Sequence, residues 1–588
     1  DRRSPDMLSI VGTLTAQPEA SGSVQPSMQS AEDSAAAVEQ IVVTGSRIRR
    51  ANFSSTPPTL VLDDGFLNDR GFTNVADAFS ETPAFGVGQN SNGEQARQTV
   101  GANFADFFGL GSQRTLTLVN GRRFVTSNAP TAGNQNPGLQ VNLNNIPVGL
   151  IERVETVAIG GAPIYGSDAI AGTVNIIYKD DFEGLEASGQ IGNIEHDGTC
   201  SVSYLGQLLM GTNFADGRGN VTLAYEYNEQ NGLIAEDRPR TARNLAFVAR
   251  PPDSESAAAN VLAENVMFPS ASVGGAPLLF NFIIPAAGVP DPDSDDPTDR
   301  LQFGPDGSLV NFDVGAPTGA FFTRIGGDGF AQSLFQNVVS PVERHVITGI
   351  GHYDITDWMT GFAEFSYADS LASQLIDQPT FQTRSRGLRE EESLLRIPLA
   401  NPFLKDSARQ TIFDAIEARR NPETGALPSP ELDRDGDGVP DTFCLARIHD
   451  DILGSNASTE GDTETYRAVL GLRGDFTLAE RRFDWEASYN LGRSRTLTER
   501  NGINSGAFFN AIDAVALTEE QATMLQAQVD GGAASFQGID SATGQATRNF
   551  SAGDIVCRVA LEPPPNIGAP VGVEDRNPCV DGCVPVNL

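Results

Sequence analysis

The chain has 588 residues, with 76 acidic against 40 basic side chains and a formal net charge of −36 at pH 7. That charge disfavours nucleic acid as a partner, because binding to phosphates needs a basic face. The length exceeds one ordinary soluble core, and no stretch approaches the roughly 18 consecutive apolar residues of a membrane-spanning helix. A soluble protein and a membrane β-barrel remain as the two classes, since barrel strands give a much weaker signal.

The N-terminal residues divide into a tail and a short strand-like segment. Residues 1–38 are rich in Ser, Ala, Gln and Pro and show no periodic apolar pattern, which predicts disorder. The segment Ile41–Thr44 is by contrast a run of residues with high strand propensity. A short strand after a disordered tail predicts either pairing with the sheet of a partner or an ordinary edge strand of the next domain.

The following residues, up to about residue 180, have the pattern of a compact α/β domain. Apolar spacing predicts a short helix over Asn74–Thr82, and an Asn-Gly pair predicts the turn of a β-hairpin over Arg114–Val125. Ile151–Gly160 is expected to start with a helical turn and to continue as a strand, and Gly172–Lys179 is expected to be a further strand.

Beyond about residue 182, apolar and polar residues alternate with a period of two. In Val221–Tyr227, for example, Val, Leu and Tyr face one side of a strand, and Thr, Ala and Glu face the other. Charges on the polar face and aromatic residues at strand ends favour a barrel with a wet interior over a soluble sandwich. Long connections rich in Pro, Asp, Gly and Asn, which suit the outer loops of a barrel, lie over residues 236–341, 389–462 and 499–588.

Two segments resemble the plug domain of TonB-dependent outer-membrane receptors. They are "RTLTLVNGRR" at 114–123 and "IERVETVAIGGAPIYGSDAIAGTVNIIYK" at 151–179, and with "IVVTGSR" upstream the resemblance covers residues 39–180. The resemblance implies an N-terminal α/β plug domain at 51–180, followed by an antiparallel transmembrane β-barrel of about 22 strands. Residues 39–50 would be the TonB box and linker. The residues expected to bind TonB by strand addition are Ile41, Val42, Val43, Thr44 and Gly45.

The barrel would begin within residues 181–588. Only about eight to ten strands can be placed there beside the long connections, so we expect the chain to carry the N-terminal part of a barrel that is truncated at its C-terminus. Two departures from the family pattern leave the ligand class open. Ile159 stands where an Arg is common, and Phe107-Phe108 stand where many relatives have a charged residue.

Two sets of side chains are candidates for contacts with the ligand and with the barrel. Phe104, Phe107 and Phe108 lie in a Gly-rich loop between plug elements, where their rings can stack on sugars or apolar ligands, or alternatively pack in the plug core. Basic residues of the plug would form charge-assisted pairs with Glu and Asp of the barrel lumen, or serve as plain structural support. These basic residues are Arg114, Arg122, Arg123 and Arg153.

One acidic loop, "LDRDGDGVPD" at 432–441, has the start of a calcium-binding pattern. Asp433, Asp435 and Asp437 have EF-hand spacing, but Cys444 stands at the twelfth position, so Asp441 would have to complete the site. The alternative is an acidic, solvated loop. Calcium is accordingly the one metal that the sequence suggests, and no cofactor is required.

Three of the five cysteines crowd the end of the chain. They predict an oxidised compartment and a loop disulfide between Cys557 and Cys583, with Cys557–Cys579 as the alternative pair. Reduced thiols are the remaining possibility, because pairing cannot be deduced from a sequence alone.

No catalytic constellation is present in the sequence, so enzymatic activity is not expected. The resemblance implies active uptake of a ligand across the bacterial outer membrane, with the plug gating an integral barrel. Expected partners are TonB of the inner-membrane energy-transducing complex, outer-membrane lipid, and a small extracellular ligand such as an oligosaccharide or an iron chelate. Two alternatives stay open: a signalling receptor of the same family, which would need a further folded domain before the box, and a soluble adhesive β-protein with an acidic calcium-binding loop.

Overall fold

A computed structural model shows two compact units, each assembled from separate stretches of the chain. The first unit comprises Asp1–Arg238, Gln336–Leu375 and Ser458–Arg500, and the second comprises Pro239–Phe335, Ile376–Ala457 and Asn501–Leu588. The residues that the structure describes are 8–16, 59–86, 100–127, 139–158, 162–196, 199–251, 254, 258–269, 271–278, 301–320, 323–375, 380–381, 395–428, 432–433, 435–453, 458–478, 481–503, 505–531, 537–561 and 585. Among them, no helix combines the length and the apolar character that crossing a membrane requires.

The N-terminal domain of the first unit is a five-stranded sheet with short helices. Its helices are α1 (Asp64–Asp69), α2 (Val75–Ser80) and α3 (Ala162–Tyr165). Its strands are β2 (Thr59–Asp63), β3 (Thr115–Val119), β4 (Arg122–Arg123), β5 (Ile151–Val157) and β6 (Gly172–Tyr178). They pair in the order β2-β5-β6-β3-β4, with β3 and β6 parallel and the other pairs antiparallel.

Local sequence signals account for most of this domain. Asn74 caps α2 by accepting a hydrogen bond from the Asp77 backbone N–H, and the predicted apolar face of the helix is buried. Asn120 and Gly121 both have positive φ angles, as the two central residues of a type I′ hairpin turn require, so the predicted hairpin is confirmed. The helical turn expected at Ile151 is wrong, because β5 begins at that residue and is paired on both sides, and a 3₁₀ turn precedes it.

The rest of the first unit is dominated by one antiparallel sheet of long strands. The strands are β1 (Leu8–Ala16), β7 (Gly184–His196), β8 (Thr199–Phe214), β9 (Gly219–Gln230), β20 (Val342–Thr356), β21 (Met359–Leu375), β25 (Ser458–Leu478) and β26 (Arg481–Arg500). They pair in this order. Two short strands, β10 (Leu233–Ile234) and β19 (Asn337–Val339), pair beside it. The predicted disorder of residues 1–38 is wrong for β1, which pairs along β7.

The two faces of the large sheet differ as the alternation predicted, and β9 shows this plainly. Thr222, Ala224 and Glu226 are buried, whereas Val221 and Tyr225 are exposed. A soluble sandwich would bury the apolar face instead. Here the polar face is the covered one and the apolar face is bare, as expected for strands in contact with lipid.

The two ends of the large sheet differ in their connections. Tight turns join β8 to β9, β20 to β21 and β25 to β26 at one end, where the N-terminal domain also leads into β7. The opposite end carries the β7–β8 turn and the long connections that leave β9, β21 and β26. Outer-membrane barrels place short turns on the periplasmic side and long loops outside, so the resemblance predicts that the tight-turn end is the periplasmic end.

The second unit consists of those three long connections and has a hydrophobic core of its own. Its helices are α4 (Pro239–Ala242), α5 (Asp406–Ala418), α6 (Ser505–Ile512) and α7 (Glu519–Asp530). Its strands are β11 (Ala246–Ala249), β12 (Asn260–Ala263), β13 (Val266–Met267), β14 (Ala276–Leu278), β15 (Leu301–Phe303), β16 (Leu309–Asn311), β17 (Ala316–Pro317), β18 (Arg324–Ile325), β22 (Thr380–Phe381), β23 (Leu395–Pro398), β24 (Thr442–Ile448), β27 (Ala514–Ala516), β28 (Gly538–Ile539), β29 (Ala546–Thr547) and β30 (Ile555–Cys557).

Candidate functional site

The N-terminal domain meets the polar face of the large sheet through two clusters of charged side chains. In the first cluster, which we call the Glu364 cluster, Arg122 reaches from the β3–β4 hairpin to two strands. Its Nη1 lies 2.7 Å from Glu364 Oε1 on β21, and its Nη2 lies 2.8 Å from Glu486 Oε1 on β26. On the other side, Arg467 Nη1 of β25 lies 2.7 Å from Glu364 Oε2, so one carboxylate joins an arginine of the domain to an arginine of the large sheet, which we call the wall.

In the second cluster, the wall supplies the charges and the N-terminal domain supplies backbone groups. Arg344 Nη2 on β20 lies 2.6 Å from Glu226 Oε1 on β9, and both side chains are only 1% exposed. Arg344 Nη1 also donates to the Asn144 carbonyl at 2.9 Å, while Glu226 Oε2 accepts from the Val148 N–H at 2.7 Å. The pair is therefore locked to the domain through main-chain groups, which need no particular side chain.

These charged contacts are strong individually, and they lie beside apolar contacts in which Leu209, Ala224 and Ile350 of the large sheet pack in the core of the domain. Charge-assisted hydrogen bonds are roughly twice as strong as neutral ones. Removing one partner of a buried ion pair is strongly destabilising, because the other charge is left buried without a partner. The Arg122 guanidinium also lies 4.3 Å from the centroid of the Phe362 ring, which shields one face of it from water. The charged part of this interface holds the domain firmly, and its contacts can be exchanged for water and other polar partners.

One acidic group near the second cluster is poorly solvated. Burial raises the pKa of Asp77 on α2 to about 6, while the positive charge of Arg344 and hydrogen bonds from Asn74 and Thr73 oppose the rise. Asn74 Nδ2 donates to Asp77 Oδ2 at 2.8 Å. The folded domain therefore tolerates the neutral carboxyl better than the carboxylate.

The three phenylalanines proposed to contact a ligand have different environments. Phe104 and Phe107 are 3% and 2% exposed, so the prediction is wrong for these two. Phe107 packs in the domain core, as the alternative held. Phe107 contacts the Phe85 ring edge-on, with 4.7 Å between centroids. Phe108 is 53% exposed and stands beside Leu110, which is 50% exposed. Only Phe108 of the three offers a ring to a ligand.

The four predicted arginines do not act alike. Arg122 pairs with the wall as predicted, but the other three bind within the N-terminal domain, so that prediction is wrong for them. Arg123 pairs with Asp168 and holds the pKa of that carboxyl below its usual range. Arg114 donates to the Leu110 carbonyl at 2.6 Å, and Arg153 pairs with Glu155 at 3.0 Å.

Sequence reasoning missed the charged residues of the wall. Arg344, Arg467, Glu364 and Glu486 were not predicted as site residues, although Glu226 was placed on the polar face of its strand. Their signal was available: an isolated charge at an inward position of an alternating strand. Which of these charged residues pair depends on the register of the strands, because partners such as Arg344 and Glu226 are 118 residues apart along the chain.

The acidic loop of the second unit brings three of its four predicted ligands together. One carboxylate oxygen from each of Asp433, Asp435 and Asp441 lies within 4.8 Å of the others. Asp437 is not part of this group, and its Oδ1 accepts from the Val439 N–H at 2.7 Å. Two of the clustered carboxylates also cap backbone N–H groups of the turn. Calcium binding stays a prediction.

Cys557 at the end of β30 is in a disulfide, which confirms the predicted oxidised state for this residue. Cys579 and Cys583, the two predicted partners, lie outside the described residues, and the choice between them stays a prediction. Cys444 on β24 is a buried thiol in the core of the second unit. The predicted TonB-binding segment Ile41–Gly45 also lies outside the described residues.

Comparison with known proteins decides the family. The model of the TonB-dependent Receptor Plug Domain family matches residues 52–173, which is the five-stranded N-terminal domain. Residues 52–173 belong to the plug domain family of the TonB-dependent receptors. The N-terminal domain is therefore a plug, the large antiparallel sheet is the wall of an outer-membrane barrel, and the alternative of a soluble adhesive protein has no support.

Similar curated proteins include a transporter and an outer membrane virulence protein. The chain is 28% identical over 212 residues to the vitamin B12 transporter BtuB of Vibrio vulnificus, which is 36% of this chain and 31% of that protein. It is 28% identical over 171 residues to the iron-regulated outer membrane virulence protein of Vibrio cholerae, which is 29% of this chain and 24% of that protein. The match thus spans about a third or less of the length of these curated relatives.

Solved structures give a weaker likeness. The ferric enterobactin receptor PfeA of Pseudomonas aeruginosa aligns with 75% of this chain and 42% of its own, at 12% identity and a TM-score of 0.37. The siderophore receptor PiuA of Acinetobacter baumannii aligns with 79% of this chain and 51% of its own, at 12% identity and a TM-score of 0.34. TM-scores this low add no weight to the assignment.

Proposed function

We propose that this receptor takes up a small extracellular ligand across the outer membrane, with the plug gating the barrel and TonB supplying the energy. The observation that carries the proposal is the Glu364 cluster, in which one plug side chain, Arg122, ties the plug to two wall strands. A plug held by exchangeable polar contacts suits a gate that must release and reseat. An apolar seal of the same area would resist such cycling.

The ligand would meet the plug at the loop that carries Phe108. Phe107, its buried neighbour, packs where a Cβ on Gly172 would stand, and Gly172 begins β6. The other end of β6 leads to β7 at the periplasmic, tight-turn end of the wall. The loop with Phe108 and Leu110 therefore lies toward the outside, and its exposed apolar surface suits an organic ligand such as an iron chelate, a vitamin or an oligosaccharide.

TonB would pair with Ile41–Gly45. The segment follows a polar tail and precedes the plug, and its β-prone residues suit addition to the sheet of a partner, in which main-chain bonds supply the affinity. Pulling on this segment would act on the plug, and the charged contacts to the wall would break in sequence.

A matched pair of substitutions at one residue tests the proposal. Val43→Pro removes a main-chain donor and should block strand addition, whereas Val43→Ile keeps both the donor and the β-propensity. Full-length wild-type protein and both variants are expressed in a receptor-deficient strain. Uptake of labelled vitamin B12, ferric enterobactin and maltodextrin is then compared with surface binding of the same probes.

The expected result is that wild type and Val43→Ile accumulate at least one probe, and that Val43→Pro binds that probe but does not accumulate it. Uptake by Val43→Pro at the wild-type rate would contradict the assignment of the TonB segment. Uptake that is unchanged in a strain without TonB would contradict energised transport altogether.

A further inference from the structure

A groove on the lipid-facing side of the wall has no role in the gate just described. It has a volume of about 790 Å³ and crosses the outer face of β9, β20, β21, β25 and β26. That volume falls within the range of about 300–1,000 Å³ in which proteins bind small molecules. Barrel walls are otherwise covered by large apolar side chains, so a depression of this size requires a cause in the sequence.

The cause is a patch of small residues in register on adjacent strands. Gly351 of β20 lies opposite Ala363 of β21. Gly361 of β21 lies opposite Tyr353 of β20, in the neighbouring row of outward-facing residues nearer the β20–β21 turn. Large side chains border the patch on both sides: Tyr353 on one side, and Leu470 and Tyr489 on the other, where the last two are 70% and 71% exposed. Gly351, Gly361 and Ala363 thus form the floor of the groove between these larger apolar side chains.

The groove lies toward the periplasmic end of the wall, next to a band of aromatic side chains. Tyr353 is stacked on Phe214, with 5.8 Å between ring centroids and 6° between the ring planes, beside the tight β8–β9 turn. Aromatic rings at the end of the apolar band mark the level of the lipid headgroups. The side of the groove that Tyr353 forms therefore reaches the membrane–water interface.

An arginine at this interface gives the groove a polar end. The Arg218 guanidinium lies 5.3 Å from the centroid of the Tyr353 ring, on an exposed turn residue. Within the described part of the chain, no carboxylate forms an ion pair with Arg218, whereas Arg482, at the β25–β26 turn, contacts Asp475 at 3.3 Å and Asp484 at 3.6 Å. An arginine without an acidic partner at headgroup level is complementary to a lipid phosphate.

We propose that this groove is a binding site for one glycerophospholipid of the periplasmic leaflet. An acyl chain lies on Gly351, Gly361 and Ala363, and the phosphate contacts Arg218 beside Tyr353. Burial of methylene groups against the floor supplies the affinity, and the guanidinium selects for a phosphate-bearing headgroup. The site would fix one lipid on the barrel and is separate from the path of the transported ligand.

Native mass spectrometry of the full-length, delipidated protein tests this site. The probes are dioleoyl-phosphatidylglycerol and dioleoylglycerol, which share their acyl chains and differ in the phosphate. Ala363→Phe fills the floor, and Ala468→Phe is its control, because Ala468 is exposed on the same face of β25 but does not line the groove. Arg218→Gln removes the guanidinium, and Arg482→Gln is the control at a turn of the same end.

We expect wild type to bind one phosphatidylglycerol and to bind dioleoylglycerol more weakly. Ala363→Phe should not bind phosphatidylglycerol, Arg218→Gln should bind it about fivefold more weakly, and both controls should match wild type. Heat-modifiable gel mobility verifies that each variant is folded. Arg218→Gln, on an exposed turn, keeps the test valid if Ala363→Phe does not fold.

Three results would overturn the proposal. Phosphatidylglycerol binding by Ala363→Phe equal to that of wild type would show that the groove does not hold the lipid. Equal binding of the two probes by wild type would show that the site does not recognise the phosphate. A dimer of wild type that Ala363→Phe dissociates, with lipid binding unchanged, would assign the groove to a second copy of the chain.

Discussion

The plug–wall interface and the core of the second unit differ in their share of charged contacts. At the interface, Arg122, Glu364 and Arg467 form a chain of ion pairs, and Arg344 binds plug backbone. In the second unit, apolar side chains from all three long connections share one core, including Phe303, Ile416 and Phe508. Polar contacts can be exchanged for water and an apolar core cannot, so the first arrangement suits a moving gate and the second a fixed body.

The largest loss of stability is expected from Glu364→Gln. The substitution leaves Arg122 and Arg467 without their shared carboxylate and should destabilise the plug–wall contact by about 3–5 kcal/mol. Urea unfolding in detergent, followed by protease accessibility of the plug, measures the loss. Glu460→Gln on β25, which is exposed, is the control and should leave the unfolding midpoint unchanged. Equal midpoints for the two variants would show that the cluster does not hold the plug.

Substitutions at two adjacent phenylalanines distinguish a side chain that stabilises the plug core from one that contacts the ligand. Phe107→Ala should cost about 3–5 kcal/mol because it opens a cavity in the plug core. Phe108→Ala should change stability by less than about 0.5 kcal/mol and weaken ligand binding instead. Thermal unfolding and surface binding of the transported probe are measured for both. A stable Phe107→Ala variant, or a Phe108→Ala variant with wild-type affinity, would contradict the division.

The apolar core of the second unit should respond locally. Ile416 is fully buried, and Ile416→Ala should cost about 2–5 kcal/mol. Hydrogen exchange should rise in α5 and β24 while the plug strands keep their protection, because the two units have separate cores. Val439→Ala, at a residue that is 47% exposed, is the control. Faster exchange in the plug as well would mean that the two regions unfold as one.

The effect expected at Asp77 depends on pH. The pKa of Asp77 is about 6 in the folded protein against an ordinary value of 3.8, so the stability that this group contributes is present below about pH 4 and is lost as the pH rises through 6. Asp77→Asn should therefore raise the melting temperature at pH 7 and leave it unchanged at pH 4. A pH-independent difference between the variant and wild type would contradict the raised pKa.

Local patterns were sufficient to predict the elements, and long-range pairing was not. The helix at Val75–Ser80, the Asn120-Gly121 hairpin and the covered face of β9 follow from spacing, turn chemistry and a period of two. These local patterns do not predict which arginine of the plug contacts the wall. Arg122 and Arg123 are neighbours on one short strand, and their different partners come from β21 and from the residues after α3.

The same limit explains the other errors. Phe107 and Phe108 are identical in type and adjacent, and only the fold of their loop buries one and exposes the other. The groove on the wall arises from small residues on separate strands, so it is visible only once the register of Gly351 and Ala363 is known. Pairing across roughly a hundred residues or more is set by the whole sheet and not by its local segments.

A reversible tether between plug and wall tests the central claim most directly. A Cβ on Gly492 of β26 would lie 3.3 Å from the Val125 Cβ of the plug, near the roughly 3.5–4.5 Å of a disulfide, so Val125→Cys with Gly492→Cys should form one. Uptake of the probe that wild type accumulates should fall to background when the tether is oxidised and recover on reduction, with Val125→Cys alone unaffected. Uptake at the wild-type rate with the tether intact would contradict a plug that must leave the wall.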